Sequence, residues 1–438
     1  MIKRIFRSPV AALLAVGSRL IMRKYRPQVV MITGSVGKTS AKDAVAAALA
    51  NNFYLRKNEK SYNTEFGVPL TIIGAVNPWT NPFSWLFVFK EMLALIFLPN
   101  HYPKLLVLEV GADRPGDLAR ILRIVSPDAV IVTRLPDIPV HVEAYPSPQA
   151  VRDEEFTPAY ALPAEAPLII CADDPHVVLM AKRLPVRVMT FGFAENADVH
   201  ASEPAVYEAH GKPAGMEAAL VAAGEHTTLH IAGGLGRHQL YAPLAAIATA
   251  LSLGMTLSEA LAGLKEYQPP PGRSRILSGK NDSLIIDDSY NASPAAAEEA
   301  LRALETLPRA KRLAVPAGRR IVVLGDMLEL GRYSVSEHER IGALAAKQAD
   351  ILITVGIRAR GIAEGAMKAG MDANRVRSFQ MAKEASDFLS PIISEGDVIL
   401  VKGSQNKIRL ERVAEALLEN PADAAKLVRQ ERRWKLIA

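Results

Sequence analysis

The chain has 438 residues, which is too long for one ordinary hydrophobic core and predicts two or three domains. Its 49% hydrophobic and 22% charged residues exclude a disordered or fibrous protein, and its one cysteine, Cys171, excludes an internal disulfide framework and favours a reducing cytoplasm. The net charge of +6 is modest, but residues 1–42 contain no acidic side chain.

The first predicted element is a basic helix with an apolar face in residues 1–27. Its apolar middle, residues 10–16, is short and is followed by further arginines, and cleavage there would leave the next motif barely intact, so an exported signal peptide is rejected. The segment is also too short and too charged to span a bilayer. Two interpretations stay open: a helix lying on an anionic membrane surface, and a helix packed on the domain surface.

A phosphate-binding loop is predicted at TGSVGKTS, between the buried-strand pattern QVVMIT and the helical pattern AKDAVAAALANN. The usual spacing G-x-x-x-x-G-K-[ST] would place a glycine at Ile32, whereas this shorter loop has Gly34. The order of strand, loop and helix is the one that phosphate binding requires, because the N–H groups and the helix dipole point at the anion. The predicted nucleotide-binding residues of the loop are Gly34, Ser35, Val36, Gly37, Lys38, Thr39 and Ser40.

An apolar segment with prolines on both sides, residues 83–98, lies in a predicted arm inserted at residues 76–103. It contains Lys90 and Glu91 and is too short for a good transmembrane helix. We expect a helical hairpin or arm that packs against the core or a partner, or that contacts a membrane.

Short apolar runs at residues 104–110, 128–133, 168–173 and 186–191 predict a parallel sheet with crossover helices. Residues 197–232 alternate without helical stretches, which favours an antiparallel edge of that sheet or a small subsheet.

Three consecutive prolines in YQPPPGRSR predict a domain boundary, because they stiffen the chain and end the preceding helix. Beyond them, strand and helix patterns alternate again. The predicted fold class is α/β: a P-loop central ATPase domain with a mostly parallel sheet, then a smaller Rossmann-like C-terminal α/β domain. The predicted segments are an N-terminal helix at 1–27, a central domain at 28–268 and a C-terminal domain at 269–438.

Two further polar residues follow strands of the first sheet and are candidates for phosphate or metal chemistry. Glu109 ends an otherwise apolar strand, where an unpaired buried charge costs several kcal/mol, so a cation beside it is expected. That cation is either a metal ion or the lysine or arginine of a structural ion pair. His141 lies beyond the next strand end, which favours a metal or phosphate role over that of an isolated histidine.

Ten stretches, in order from about residue 28 to residue 415, resemble the Mur ligase family of peptidoglycan enzymes, most of all the type that adds D-Ala-D-Ala to UDP-N-acetylmuramoyl-tripeptide. They are TGSVGKTSAK, YNTEFGVPLTII, VLEVGADRPGDLA, HVEAY, TFGFAENADVHA, GRHQLYAPLAAIATAL, PPGRSRIL, LIIDDSYNASP, VVLGDMLELG and LVKGSQNKIRLERV. The resemblance implies that ATP and Mg²⁺ convert a muropeptide carboxylate into an acyl phosphate, which an amine such as D-Ala-D-Ala then attacks.

The resemblance also implies roles for individual residues. The implied catalytic residues are Lys38, Glu109, His141 and Glu155, and the implied Mg²⁺ ligands are Thr39, Glu109, His141 and Glu155. The implied nucleotide contacts outside the loop are Asn63, with Thr64 beside it, and Arg273, Asp288, Tyr290 and Asn291. The residues expected to face the amine substrate are Asp326, Glu329, Lys402 and Ser404.

The chain departs from the family pattern at several positions. Family members carry a lysine, carbamylated by CO₂, where this chain has Glu155, and we expect Glu155 to supply an encoded carboxylate. The alternative is that RDEE is a solvated helix face. The family's H-N and a later asparagine, which contact the adenine, appear here as His238-Gln239 and Ala242, and N-A-N-P is NASP, with Ser293. About thirty residues precede the loop where the family has a UDP-sugar domain, so membrane-surface contact or a partner protein is expected to replace that domain.

Three functions remain open from the sequence. The first is an amide ligase acting on a cell-wall precursor, and the second is a ligase of the same mechanism with another, lipid-linked or unrelated, carboxylate acceptor. The third is a nucleotide-binding regulator without catalysis, against which the retention of Lys38, Thr39, Glu109 and His141 argues. No nucleic-acid partner is expected, because the basic residues lack interleaved aromatic side chains. The expected location is the cytoplasm, with a peripheral position at the inner membrane face left open.

Overall fold

The computed structural model describes residues 7–59, 62–78, 81–307, 318–405, 408–431 and 434. Its strands form two sheets, one of nine strands and one of six. The nine-stranded sheet uses residues from 28 to 232 and the six-stranded sheet uses residues from 275 to 402. The boundary proposed at residue 269 falls between them.

The nine-stranded sheet has the order β2-β3-β1-β4-β5-β6-β7-β8-β9. Its strands are β1 (Gln28–Thr33), β2 (Leu55–Lys57), β3 (Leu105–Glu109), β4 (Ala129–Val132), β5 (Pro167–Cys171), β6 (Arg187–Gly192), β7 (Val199–Ala209), β8 (Lys212–Ala222) and β9 (Glu225–Ala232). Strands β1 to β7 pair in parallel, and β8 and β9 complete the sheet in antiparallel pairing. The predicted parallel sheet with an antiparallel edge is therefore confirmed.

Alternating side chains of β1 enter two separate cores, as a parallel strand covered on both faces requires. Val30 and Ile32 join the core beneath one layer of helices, while Val29 and Met31 join the core on the opposite face. The helices of this region are α1 (Arg7–Tyr25), α2 (Lys38–Leu49), α3 (Gly67–Ile73), α4 (Pro82–Phe97), α5 (Asp117–Leu122), α6 (Pro148–Glu155), α7 (Thr157–Tyr160), α8 (Pro175–Ala181), α9 (Tyr241–Ser252) and α10 (Leu257–Leu264). Helices α2, α9 and α10 cover the first core, and α1, α3 and α4 cover the second.

The predicted arm is a single helix, α4, which crosses α1. A Cβ atom added at Gly17 would lie 2.1 Å from the sulfur of Met92, so the glycine permits the close approach of the two helices. The Lys24 ammonium donates to the carbonyl oxygens of Leu95 (2.8 Å) and Leu98 (2.6 Å), which end α4. Among the described residues, the helices are all too short or too polar to cross a membrane.

The six-stranded sheet has the order β10-β11-β15-β12-β13-β14, parallel except for β10. Its strands are β10 (Arg275–Gly279), β11 (Ser283–Asp288), β12 (Arg320–Gly325), β13 (Ile351–Val355), β14 (Val376–Phe379) and β15 (Val398–Lys402). Its helices are α11 (Pro294–Ala303), α12 (Ser334–Gln348), α13 (Arg360–Lys368), α14 (Ala382–Leu389) and α15 (Glu411–Leu417). Buried residues of α11, α12 and α13 cover one face, and those of α14 and α15 cover the other.

Glycines let helices α12 and α13 cross with their backbones in contact. A Cβ atom at Gly342 would lie 2.0 Å from the carbonyl oxygen of Ile362, and one at Gly365 would lie 2.1 Å from that of Glu339. Backbone atoms cannot move aside as the end of a flexible side chain can, so alanine at either position requires the helices to separate.

We predict that Gly342→Ala lowers the free energy of unfolding by about 1–3 kcal/mol, although alanine favours an isolated helix. Urea denaturation of the full chain, followed by circular dichroism, measures the change. Lys347→Ala, at an exposed position of the same helix, is the control and should change stability by less than about 0.5 kcal/mol. Equal stability of Gly342→Ala and the wild type would contradict the crossing.

Candidate active site

The phosphate loop is held by the strand beside it. Ser35 and Val36 donate their N–H groups to the carbonyl oxygen of Arg134, at 2.9 and 3.3 Å. Gly34 has φ of 119° and packs against Thr133, whose hydroxyl oxygen would lie 2.2 Å from an added Cβ atom. Because these N–H groups are already bonded, the expected phosphate cradle narrows to the N-terminal turn of α2, whose first N–H groups lack acceptors within the helix.

Glu155 is buried beside the phosphate loop, so the alternative of a solvated helix face is wrong. Its side chain is 2% exposed. One carboxylate oxygen lies 3.3 Å from the Lys38 ammonium, and the other accepts from the Thr33 hydroxyl at 2.8 Å and the Gly34 N–H at 3.3 Å. Lys38 also donates to the carbonyl oxygen of Gly34. Glu155 therefore fixes the position of the loop lysine.

Glu109 is buried at the end of β3, with a lysine beside it. Its backbone is held by the Asn58 side chain, which accepts from its N–H at 2.6 Å and donates to its carbonyl at 2.9 Å. Its carboxylate lies 3.4 Å from the Asn63 amide and 3.7 Å from the Lys42 ammonium. Within the described part of the chain, oxygen Oε2 has no hydrogen-bond partner although it is buried. The structural ion pair, one of the two alternatives left open for Glu109, is present, and this oxygen also fits a metal ligand.

His141 faces the second domain. Its ring lies 2.8 Å from the Glu329 carboxylate and 3.6 Å from Asp113. Burial lowers the pKa of His141, but Glu329 and Asp113 outweigh burial, and the net pKa is raised. The hydrogen bond from His141 is the main cause of a lowered pKa at Glu329. This contact joins the two domains at the site.

The expected set of metal ligands is not assembled in this structure. Among the described residues, no group of three or more His, Cys, Asp or Glu side chains is placed to hold a metal ion. Glu155 turns to the loop and His141 turns to Glu329, whereas Glu109 Oε2 contacts the Lys42 ammonium at 3.7 Å and has no hydrogen-bond partner among the described residues. Mg²⁺ commonly uses one or two carboxylates with phosphate oxygens and water, so Glu109 still fits a ligand of a magnesium site.

A cleft of about 760 Å³, including space open to solvent, lies between the domains. It is lined from the first domain by Val36, Gly37, Ser40, Ala41, Thr133, Arg134, Phe191, His238, Gln239, Tyr241 and Ala242. It is lined from the second domain by Arg273, Asp288, Ala296, Glu299 and Lys402. The phosphate loop and the predicted nucleotide contacts Arg273 and Asp288 are thus brought together in one space.

A buried ion pair joins β11 and β15 at the floor of the cleft. The Lys402 ammonium lies 2.7 Å from the Asp288 carboxylate, and Asp288 also accepts from the Ser274 N–H at 3.2 Å. Burial lowers the pKa of Lys402, against the opposing effect of Asp288. Lys402 was expected to face the amine substrate, but the structure places it among the nucleotide-cleft residues.

The other predicted contacts of the second domain have local partners. The Arg273 guanidinium lies 4.1 Å from the centre of the Tyr290 ring, and the Asn291 side chain accepts from the Ala292 N–H at 2.9 Å. Asp326 accepts from the N–H of Ala359 at 2.7 Å.

Ser404 belongs to the same group of strand-end loops. Its N–H donates to the carbonyl oxygen of Asp326 at 3.1 Å, and its hydroxyl accepts from the N–H of Leu328 at 3.0 Å. Asp326 and Ser404 therefore shape the loops that follow β12 and β15, while Glu329 points to His141.

Sequence reasoning missed the two charged cleft residues Arg134 and Glu299. Arg134, at the end of β4, forms an ion pair with Glu299 of the second domain at 2.9 Å. Its guanidinium lies 5.7 Å from the centre of the Tyr241 ring. The position of Arg134 directly after an apolar strand is the same signal that identified Glu109.

A strand–loop–helix phosphate site that faces a second α/β domain across a cleft defines a two-domain nucleotide-binding protein of the α/β class. Comparison with known families narrows this class. The Mur ligase middle domain matches residues 32–250, and the Mur ligase glutamate ligase domain matches residues 272–405. The chain belongs to the Mur ligase family.

Individual relatives support the same assignment. A UDP-N-acetylmuramoyl-tripeptide–D-alanyl-D-alanine ligase of Bacillus subtilis (strain 168) is 26% identical over 407 residues, covering 92% of this chain and 79% of the relative. A ligase of the same name from Mycobacterium tuberculosis (strain CDC 1551 / Oshkosh) is 30% identical over 417 residues, covering 89% and 72%. The crystal structure of MurF ligase from Thermotoga maritima in complex with ADP has a TM-score of 0.75 and 25% identity, covering 93% of this chain and 83% of that one. The predicted α/β fold class is confirmed.

Asp287, next to the cleft, gives a pH dependence that can be measured. It is buried and accepts from the N–H groups of Gly272 (3.1 Å) and Ser289 (3.2 Å). Burial, which outweighs these donors, raises its pKa from 3.8 to about 6. The folded state therefore holds the proton more tightly than the unfolded state does. The resulting stabilisation is complete below the unfolded pKa and is lost as the pH rises through the folded pKa.

We predict that ionisation of Asp287 lowers the free energy of unfolding by on the order of 3 kcal/mol as the pH rises from about 4 to about 7. Asp287→Asn should remove that part of the pH dependence, whereas Asp387→Asn, at an exposed position of the same domain, should retain it. Urea denaturation across the pH range measures both. If the free energy of unfolding changes with pH in the same way in the wild type and in Asp287→Asn, Asp287 is not the group responsible.

Proposed function

We propose that this chain is an ATP-dependent amide ligase that activates a carboxylate as an acyl phosphate and couples it to an amine. The observation that carries the proposal is the single cleft that contains both the phosphate loop and Arg273 and Asp288 of the second domain. Two substrates can meet at such a junction, and closure of the domains would exclude water from the reactive anhydride.

The names of the relatives support a specific pair of substrates. They describe ligation of D-alanyl-D-alanine to UDP-N-acetylmuramoyl-tripeptide. We infer that this chain takes a muropeptide carboxylate as the acceptor and D-Ala-D-Ala as the amine.

The residues of the cleft suit the first step, attack of the acceptor carboxylate on the γ phosphate. Lys38 would exchange its contact with Glu155 for the phosphates, so that its positive charge offsets the repulsion between two anions. The Thr39 hydroxyl and Glu109 Oε2 would hold Mg²⁺, which supplies further positive charge beside the transferred phosphoryl group. Asn63 would orient the γ phosphate, and Arg273 would contact the nucleotide from the second domain.

The second step needs the amine to approach from the second domain. His141 and Glu329 join the domains next to the phosphate loop, so the acyl phosphate would form where that domain delivers the amine. We propose that the loops shaped by Asp326 and Ser404 bind the amine substrate.

A lipid-linked acceptor is the second candidate substrate, and the exposed apolar side chains of α1 and α4 favour it. The enzyme would then act in the cytoplasm at the inner face of the membrane, either through its own surface or through a partner protein.

Release of ADP tests the proposed reaction. We expect ADP release to require both a muropeptide, UDP-linked or lipid-linked, and an amine, tested as D-Ala-D-Ala, single amino acids and ammonia. Lys38→Ala should lower the rate by about 10²–10³-fold, because it removes the charge that faces the phosphates. Lys347→Ala should leave the rate unchanged. ADP release that is independent of acceptor and amine would contradict a ligase.

We further propose that Glu155 replaces the carbamylated lysine of the family with an encoded carboxylate. Its buried contacts with Lys38 and Gly34 put a fixed negative charge at the loop without any need for CO₂.

The wild type is therefore expected to be equally active with and without bicarbonate. Glu155→Lys should lose more than about tenfold in CO₂-free buffer, because a second ammonium would face Lys38, and should recover when bicarbonate restores a negative carbamate. Glu155→Ala is the matched control that bicarbonate cannot rescue. A strong bicarbonate requirement in the wild type would show that Glu155 does not replace the carbamylated lysine.

A further inference from the structure

Helix α4 exposes a row of large apolar side chains. The residues of this row are Phe83 (73% exposed), Leu86 (65%), Phe87 (68%), Leu93 (49%) and Phe97 (75%). Their spacing places them on one side of the helix. The opposite side, with Val88, Met92 and Leu95, is buried in the core. Soluble proteins rarely leave so many large apolar side chains together in water without a binding function.

Helix α1 adds a second row. Leu13, Val16 and Leu20 are exposed and share one side of α1, while Leu14 and Ile21 enter the same core as the buried side of α4. Because both helices bury their inner sides in one core, their outer sides face solvent together. The exposed rows of α1 and α4 together form a surface that we call the apolar face.

The contact between the helices makes the apolar face a rigid surface. Gly17 allows α1 to lie against Met92, and Lys24 bonds the end of α4. Tyr25 also donates to the carbonyl oxygen of Leu95 at 2.9 Å. The surface is therefore already ordered in the folded protein, and binding does not carry the entropy cost of ordering it.

The charges around the apolar face are mostly positive, with one exposed carboxylate, that of Glu91 beside Lys90 on α4. Arg19, Arg23 and Arg26 are exposed on α1 and directly after it, and residues 1–42 contain no acidic side chain. Lys90 lies within the row on α4, where its aliphatic stem can cover apolar surface while its ammonium reaches outward. An apolar stripe flanked by lysine and arginine complements an anionic lipid surface, which offers hydrocarbon next to negative headgroups.

The apolar face also leaves the cleft free. The basic end of α1 leads directly into the amino end of β1, whereas the phosphate loop follows its carboxyl end. A bilayer bound to the outer sides of α1 and α4 would therefore cover neither the loop nor the second domain.

We propose that the apolar face of α1 and α4 binds the interface of an anionic lipid bilayer. The helices lie on the membrane and do not cross it, since none of the described helices is both long and apolar enough to do so. This binding does not depend on the ligase reaction, so failure of either proposal is distinguishable from failure of the other.

Flotation of the full chain with vesicles tests the surface. The wild type should float with vesicles of phosphatidylglycerol and phosphatidylcholine, and much less with phosphatidylcholine alone. Phe83→Ser/Phe87→Ser should lower the bound fraction at least about tenfold, because two phenyl rings that would enter the bilayer are lost. Arg19→Gln/Arg23→Gln should weaken binding to the anionic vesicles and reduce its sensitivity to salt. Val335→Ser/Ile357→Ser, at similarly exposed apolar positions of the second domain, is the control and should bind like the wild type.

ADP release and circular dichroism verify that each variant is folded. Absence of wild-type binding to anionic vesicles overturns the proposal. The proposal is also overturned if Arg19→Gln/Arg23→Gln and Phe83→Ser/Phe87→Ser both bind these vesicles like the wild type. A dimer that Phe83→Ser/Phe87→Ser dissociates, without vesicle binding, would assign the face to a second copy of the chain and would equally overturn it.

Discussion

The candidate site depends on one residue, Arg134, which holds the phosphate loop and the second domain at once. Its carbonyl oxygen accepts the N–H groups of Ser35 and Val36, while its guanidinium pairs with Glu299 across the cleft. A shortened loop has fewer N–H groups for phosphate, so its conformation must be set from outside. Because the same residue reaches the other domain, the loop geometry and the position of that domain are coupled.

Three lysine–carboxylate pairs surround this junction, two of them buried and the first partly exposed at its lysine: Lys38 with Glu155, Lys42 with Glu109, and Lys402 with Asp288. Desolvation makes such pairs poor sources of net stability. Their position at the carboxyl ends of strands in both sheets fits another role, which is to keep charges ordered and dry for an anionic ligand. A phosphate that draws Lys38 away from Glu155 would then exchange this one contact, while the other two pairs are already in place.

The helix pair α1 and α4 differs from the site, because it leaves apolar side chains exposed to water. Its inner side completes the core over one face of the first sheet, but its outer side leaves aromatic rings in water. The free energy of folding does not require that exposure, since polar residues would serve equally well there. The membrane interpretation and the packing interpretation of α1 are therefore compatible, because the two sides of the helix have different environments.

The sequence by itself determined the order of strands and helices, the strand–loop–helix phosphate site and the acidic strand end at Glu109, because these depend on local periodicity and on neighbouring residues. Family resemblance added the candidate cleft residues Arg273 and Asp288. Only the tertiary structure decided which charges meet. Lys38 and Glu155 are 117 residues apart, Asp288 and Lys402 are 114 apart, and Arg134 and Glu299 are 165 apart. Such pairs depend on how sheets and domains are placed, which no local pattern of residues encodes.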